Sequence, residues 1–316
     1  MERKNIFRIP VTDCTFKLLF ATEKNKHYLI DFLNSALSNY LGTIADIAYL
    51  PTERYGTDNN DKRVFFDIFC KDTEGREFII EMQHARQPEF VERSIFYLSR
   101  AISSSMAKGQ RRYRILPTYS VNLLDFELPN FGNSDECFHA IFFKDHHNRI
   151  LTDKVGIFYI NLCNFAAQQD GISPQLRNWL YVLKNMQNFN ESDYQKQTGI
   201  FKNLLDECRI SKMSEMEKKD YEKSVLEYED VQEAIAYARE LAAEEAFGKG
   251  MEKGMEKGMK RGLKKGLEEG RAEGMEKGME KATVLIAQNM IKAGLDISTI
   301  ANLTGLSEAE ILQIKV

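Results

Sequence analysis

No stretch of this chain approaches the ~20 consecutive apolar residues that a membrane-spanning helix needs. The opening MERKNIFRIPVTDCTF places no apolar run behind its basic residues, so a secretory leader is not expected. Cysteine is sparse: Cys14, Cys70, Cys137, Cys163 and Cys208 are far apart and odd in number, with no Cys-x-x-Cys pair among them. That spacing argues against a zinc site and points to reduced thiols in or near a core. An excess of positive charge is also missing. The net charge is −4 and the pI about 5.9, so no general affinity for nucleic acid is written into the total. If DNA is bound, the positive potential must be local or come from a divalent metal. No G-x-x-x-x-G-K-[ST] loop is present, which excludes a P-loop nucleotidase, and no Ser/His/Asp or Cys/His nucleophile set is evident. These absences lead us to expect a soluble, cytoplasmic protein with no membrane partner.

What is present suits a globular chain. Of 316 residues, 43% are apolar and 11% aromatic, enough for one α/β domain with added helices. The charged fraction of 28% implies a heavily solvated segment somewhere. Four textures follow one another: residues 1–165, rich in β-branched and aromatic runs; 166–247, polar and helical; 248–281, a glycine repeat; and 282–316, a short apolar-periodic tail.

Within the first texture, Phe16, Leu19, Phe20, Leu29, Phe32, Leu33 and Leu37 recur at helical spacing, with a break near Thr22–Lys26. Thr12 or Asp13 is placed to cap the start. Ile44–Leu50 predicts a first strand. RVFFDIFCK (Arg63–Lys71) and REFIIEMQ (Arg76–Gln83) predict two more, joined by the tight turn DTEG. Residues 89–107 read as a helix, and 117–126, 137–143 and 156–163 as strands.

The chemistry sits on the hairpin. Strand alternation puts Ile80 and Met82 on one face, and Ile79, Glu81 and Gln83 on the other. Glu81 is a lone charge in an apolar strand, and Asp67 interrupts the partner strand in the same way. The turn brings Asp67 roughly opposite residues 79–81. Two carboxylates in one partly buried site repel each other. A divalent cation with a preference for hard oxygen, Mg²⁺ or Mn²⁺, removes that repulsion and can activate water against a phosphate.

The pattern FFD followed by EMQ on hairpin strands after a helix resembles the PD-(D/E)XK nuclease superfamily. More narrowly it resembles the Rpn-type recombination-promoting nucleases and transposases. TDCTFKLLF, ERSIFYLSRAI and RRYRILPTYSVNLL extend the resemblance over residues 9–165. It implies an α-β-β-β-α-β core, Mg²⁺-dependent DNA endonuclease activity and a tie to recombination or mobile DNA. It makes Asp67 and Glu81 the metal ligands and puts Gln83 where the superfamily has lysine. Phe66 stands where the motif has proline. A chain that keeps the fold as a DNA-binding or assembly protein with weak or no cleavage is the alternative.

Other residues stay open at this level. Arg93 and Tyr97, one helical turn apart, either touch the scissile phosphate or form a surface pair. Lys17 or Arg93 is available to replace the missing lysine charge. Asp13 either caps its helix, the favoured reading, or reaches the metal. Lys108, Arg111, Arg112 and Arg114 form the densest basic patch of the core region and suit DNA phosphates. His84, beside Gln83, either lies near the metal or, the favoured reading, is an ordinary strand-end histidine, and His146–His147 are assigned no role.

From Gly250 to Gly278 a glycine stands at every fourth position, in units such as GMEK. On a helix each glycine is offset by about 40° from the last, so the glycine and Met/Leu stripes spiral. The segment is either a charged tether or a helix; the helix, packed against a second copy in a homo-oligomer, is the expectation. In the tail, IANLTGLSEAEI resembles the turn of a helix-turn-helix. Its acidic second helix, with Glu308 and Glu310, favours a packing or partner module over DNA reading.

Overall fold

The computed structural model describes residues 5–54, 64–105, 114–128, 136–166 and 171–314. The chain divides into two compact units, Met1–Ala236 and Tyr237–Val316.

In the first unit, α1 (Asp13–Phe20), a 3₁₀ turn (Glu23–Asn25) and α2 (Lys26–Leu37) follow one another, with the break where the apolar spacing fails, as expected. Then come β1 (Ile47–Tyr49), β2 (Glu53–Arg54), β3 (Val64–Phe65), β4 (Ile68–Asp72), β5 (Glu77–Gln83), α3 (Phe90–Ser104), β6 (Thr118–Leu124), β7 (Phe138–Phe142) and β8 (Val155–Asn161). After them follow α4 (Pro174–Asn185), α5 (Glu191–Lys196), α6 (Gly199–Glu207) and the start of α7 (Glu215–Lys292). β2 and β3 pair with each other alone, and the main sheet runs β1-β4-β5-β6-β8-β7. β5–β6 and β6–β8 are parallel; the other pairs in the main sheet are antiparallel. The expected α-β-β-β-α-β order is therefore present as α2-β1-β4-β5-α3-β6.

The sheet is buried on both faces. Phe78, Ile80 and Met82 join Phe16, Phe20, Phe32 and Trp179 in the larger core, on the side of α1, α2 and α4. Ile79 points the other way, into a smaller cluster with Val64, Phe66, Phe69 and Ala101 of α3. Each fully buried aromatic here contributes on the order of 3–5 kcal/mol against truncation to Ala. The hairpin turn is fixed by its own side chains. Gly75 takes φ 85°. Asp72 Oδ1 accepts from the backbone N–H of Glu74 and Arg76, and Asp72 Oδ2 meets Arg76 Nε at 2.5 Å. The same guanidinium donates to the carbonyls of Gly42 and Thr43, so the ion pair is buried with its other hydrogen bonds met.

The glycine repeat lies inside α7 and is helical throughout. Good helix formers stand between the glycines, and Lys–Glu pairs four apart, such as Lys260–Glu256 at 2.6 Å and Lys277–Glu273 at 2.6 Å, lie along it. A Cβ built at any glycine from Gly248 to Gly278 would meet nothing within 4 Å. In the second unit α7 is followed by α8 (Ile297–Thr304) and α9 (Glu308–Gln313), with Ala287, Ile300 and Ile311 as a small core. Asp296 caps α8 and Ser307 caps α9. Among the described residues, no helix is long and apolar enough to cross a membrane.

Candidate active site

The β4–β5 register pairs Ile68 with Ile80, and one further step sets Asp67 against Glu81. At that step the two side chains take over from the ladder. Asp67 N–H donates to Glu81 Oε1 at 3.2 Å, and Met82 N–H donates to Asp67 Oδ2 at 2.9 Å. The carboxylates thus cross-brace the hairpin on the face that carries Ile79 and α3. Gln83 Nε2 donates to Glu81 Oε2 at 3.4 Å.

Burial is the main cause that pushes both carboxyls up. Glu81 is only 5% exposed. Desolvation, then the charge of Asp67, raise it to about 8, against hydrogen bonds from Asp67 and Gln83 and the charge of Arg93. Asp67 is raised by the same desolvation and by Asp13, with the hydrogen bond from Met82 and the charges of Lys17 and Arg93 opposing. An arrangement that holds two carboxylates together and disfavours their charge is one that a cation completes. Among the described residues no group of three or more His, Cys, Asp and Glu is placed to hold a metal. The donor set is the two carboxylates. It fits Mg²⁺, which is commonly held by one or two carboxylates and keeps several waters.

The structure brings Arg93 and Tyr97 to these carboxylates. Arg93 Nη2 donates to Gln83 Oε1 at 2.6 Å, and Nη1 donates to Gln87 Oε1. Its guanidinium lies 5.4 Å from the ring centre of Phe90 and 5.6 Å from that of Tyr97. The Tyr97 ring in turn meets Phe66 edge-on. Asp13 is corrected: Thr12, not Asp13, is the N-cap residue of α1, and Asp13 pairs with Lys17 at 2.9 Å. Thr12 makes no side-chain cap bond either; its Oγ1 donates to Ile9 O. Burial lowers the Lys17 ammonium, but its hydrogen bond to Asp13 and the charges of Asp13 and Asp67 outweigh that, so its pKa is raised. Of the basic patch, Arg114 is exposed just before β6; Lys108, Arg111 and Arg112 lie outside the described residues.

Two contacts beside the carboxylates were not foreseen. Gln87 shares Arg93 with Gln83; its four-residue spacing from Gln83 was a visible but unspecific signal. His84, lowered by burial, packs edge-on against Tyr228 of α7, whose hydroxyl donates to Asp125 at 3.1 Å. With Tyr221 accepting from Ile9 N–H and Ser224 from Cys14 N–H, the first turns of α7 are fastened beside α1. No sequence signal linked residues so far apart.

Residues 10–238 match the family described as PD-(D/E)XK nuclease family transposase. Residues 280–316 match the one described as Rpn/YhgA-like nuclease family, C-terminal HTH domain. No curated protein and no solved structure matches the chain.

Proposed function

The chain belongs to the PD-(D/E)XK nuclease family transposases, and from that premise we propose that it is a metal-dependent DNA endonuclease with Asp67 and Glu81 as its metal ligands. The observation that carries this reading is the cross-braced pair itself: a buried Glu81 and a half-buried Asp67, set face to face by the hairpin and both pushed towards protonation. Mg²⁺ or Mn²⁺ bound there would supply a polarised phosphate and an activated water. The chain's own residues would do the rest. Asp67 and Glu81 fix the hairpin geometry through the backbone of residues 67 and 82, and Gln83 holds the free oxygen of Glu81.

DNA as substrate is supported by the match of residues 280–316 to a helix-turn-helix domain. That match also bears on the acidic tail. Glu310 completes the capping box with Ser307, so one of the charges that argued against DNA is engaged at the start of α9. We further propose a role with recombining or mobile DNA, on the transposase family match. A cytoplasmic setting is supported by five free cysteines. Assembly of copies through the repeat is supported by its uncovered Met and Leu side chains.

Nicking of supercoiled plasmid tests the central claim. The wild-type chain should cut with Mg²⁺ or Mn²⁺ and stop with a chelator. Glu81→Gln and Asp67→Asn, which keep shape and remove a charged ligand, should each lower the rate by about a thousandfold or more if metal chemistry dominates. Their melting temperatures should not fall at pH 8. Variants that cut like the wild type would show that the site lies elsewhere.

A further inference from the structure

Among the described residues, the two cations whose charges act on the carboxylates are placed differently. Lys17 is half exposed and bound to Asp13, so its charge is balanced on its own helix. Arg93 has no carboxylate within ion-pair distance among the described residues. Its partners are two neutral amides and two aromatic rings. Rings favour a cation over their faces, but they do not neutralise it. A guanidinium with no carboxylate in direct contact, held by two amides and one amide away from Glu81, can still donate to an incoming anion.

Gln83 is also committed. Its Oε1 accepts from Arg93 and its Nε2 donates to Glu81. Engaged at both ends, the amide is held in one orientation between Arg93 and Glu81. We infer that Arg93 is the catalytic cation that contacts the scissile phosphate, and that Gln83 is its positioning residue, the two together serving where the nuclease motif uses one lysine. This rests on the endonuclease reading above and names the division of labour within that site. In the hydrolysis, the water oxygen bonds to phosphorus and the bond from phosphorus to the leaving ester oxygen breaks. One proton leaves the attacking water for solvent, and the leaving oxygen takes one up. Negative charge builds on the non-bridging oxygens meanwhile. A planar guanidinium can donate two N–H groups to those oxygens at once, which an ammonium cannot match in geometry.

The test compares wild type, Arg93→Gln, Gln83→Lys and the double variant on supercoiled plasmid with Mg²⁺ or Mn²⁺. Mn²⁺ binding without DNA is measured by calorimetry alongside. Arg93→Gln should lower kcat by about a hundredfold, the usual loss for a transition-state donor, with Mn²⁺ affinity no weaker than wild type. Gln83→Lys alone should also cut more slowly, because an ammonium then stands against the guanidinium and the acceptor is lost. Combining the two should recover about tenfold or more over Arg93→Gln, because the lysine then replaces the missing charge. A wild-type rate in Arg93→Gln, no recovery in the double variant, or loss of Mn²⁺ binding in Arg93→Gln overturns the assignment. Failure of the endonuclease reading is distinct, since it shows in the wild-type lane before any variant is compared.

Discussion

Glu81 and Asp67 are folded into surroundings that favour their neutral forms, and the direction of that shift sets how the metal-free protein responds to pH. A carboxyl raised in the folded state stabilises the fold most below its unfolded value and loses that contribution as pH climbs through its folded value. For Glu81 the interval runs from 4.5 to about 8. With chelator present, the melting temperature should fall across that interval and level off above it. Mg²⁺ or Mn²⁺ competes with protons for the same oxygens, so the melting increment from added metal should be larger at pH 8 than at pH 6. Glu81→Gln should flatten the slope, and a metal increment equal at both pH values would place the ion elsewhere. Glu81 was legible in the sequence because a charge amid FII and M has no neutral explanation on a buried strand. Arg93 was legible only as a face of a helix; which strand end that face meets depends on the packing of Ala101 and Tyr97 over β4 and β5. Asp13 was read as a cap because Asp suits that position, but a lysine four residues on offers it a second, equally local partner.

At the scale of elements, most strands and helices followed the pattern, because in the first unit each apolar run has a core to enter; the exception is the expected strand Arg63–Lys71, which breaks at Phe66–Asp67 into β3, paired with β2, and β4 in the main sheet. The repeat had no such arbiter. Its glycines cost about 1 kcal/mol each against alanine, and the Met, Leu, Glu, Lys and Arg between them favour helix. α7 resolves the conflict as helix, and open space at the glycines turns it into an experiment. Replacing Gly262, Gly266 and Gly270 by Ala should raise helical content on heating, with each substitution contributing up to about 1 kcal/mol. Circular dichroism through the melt would read this. Reduced helicity would mean that the glycines are held against another chain, where a methyl group does not fit. The tail shows the opposite kind of ambiguity. S-E-A-E at Ser307–Glu310 is a capping-box signature, so Glu310 carried a structural meaning that a count of charges could not express.

For the whole molecule, composition and compactness draw different lines. The texture of the sequence changes at 248, where the repeat begins, whereas the compact units divide at 236. Tyr221, Ser224 and Tyr228 explain the difference, since they tie the first turns of α7 to residues more than a hundred positions away, a kind of contact that no local pattern announces. Beyond that point the same helix carries Met251, Met255, Met259, Met275 and Met279 exposed to solvent, while Met82 and Met186 are buried. Thioethers in those two settings meet an oxidant on unequal terms. Dilute peroxide should convert the repeat's methionines to sulfoxides well before the buried pair, each gaining one oxygen and turning from apolar to polar. Peptide masses taken over time would rank them, and early oxidation of Met82 would mean that the sheet opens to solvent. Where copies associate through this stripe, sedimentation should show the assembly loosening as oxygen is added, with Leu263 and Leu267 as the stretch that peroxide leaves unchanged. The repeat would then make assembly answer to oxidative stress, and methionine sulfoxide reductase would be able to undo the response.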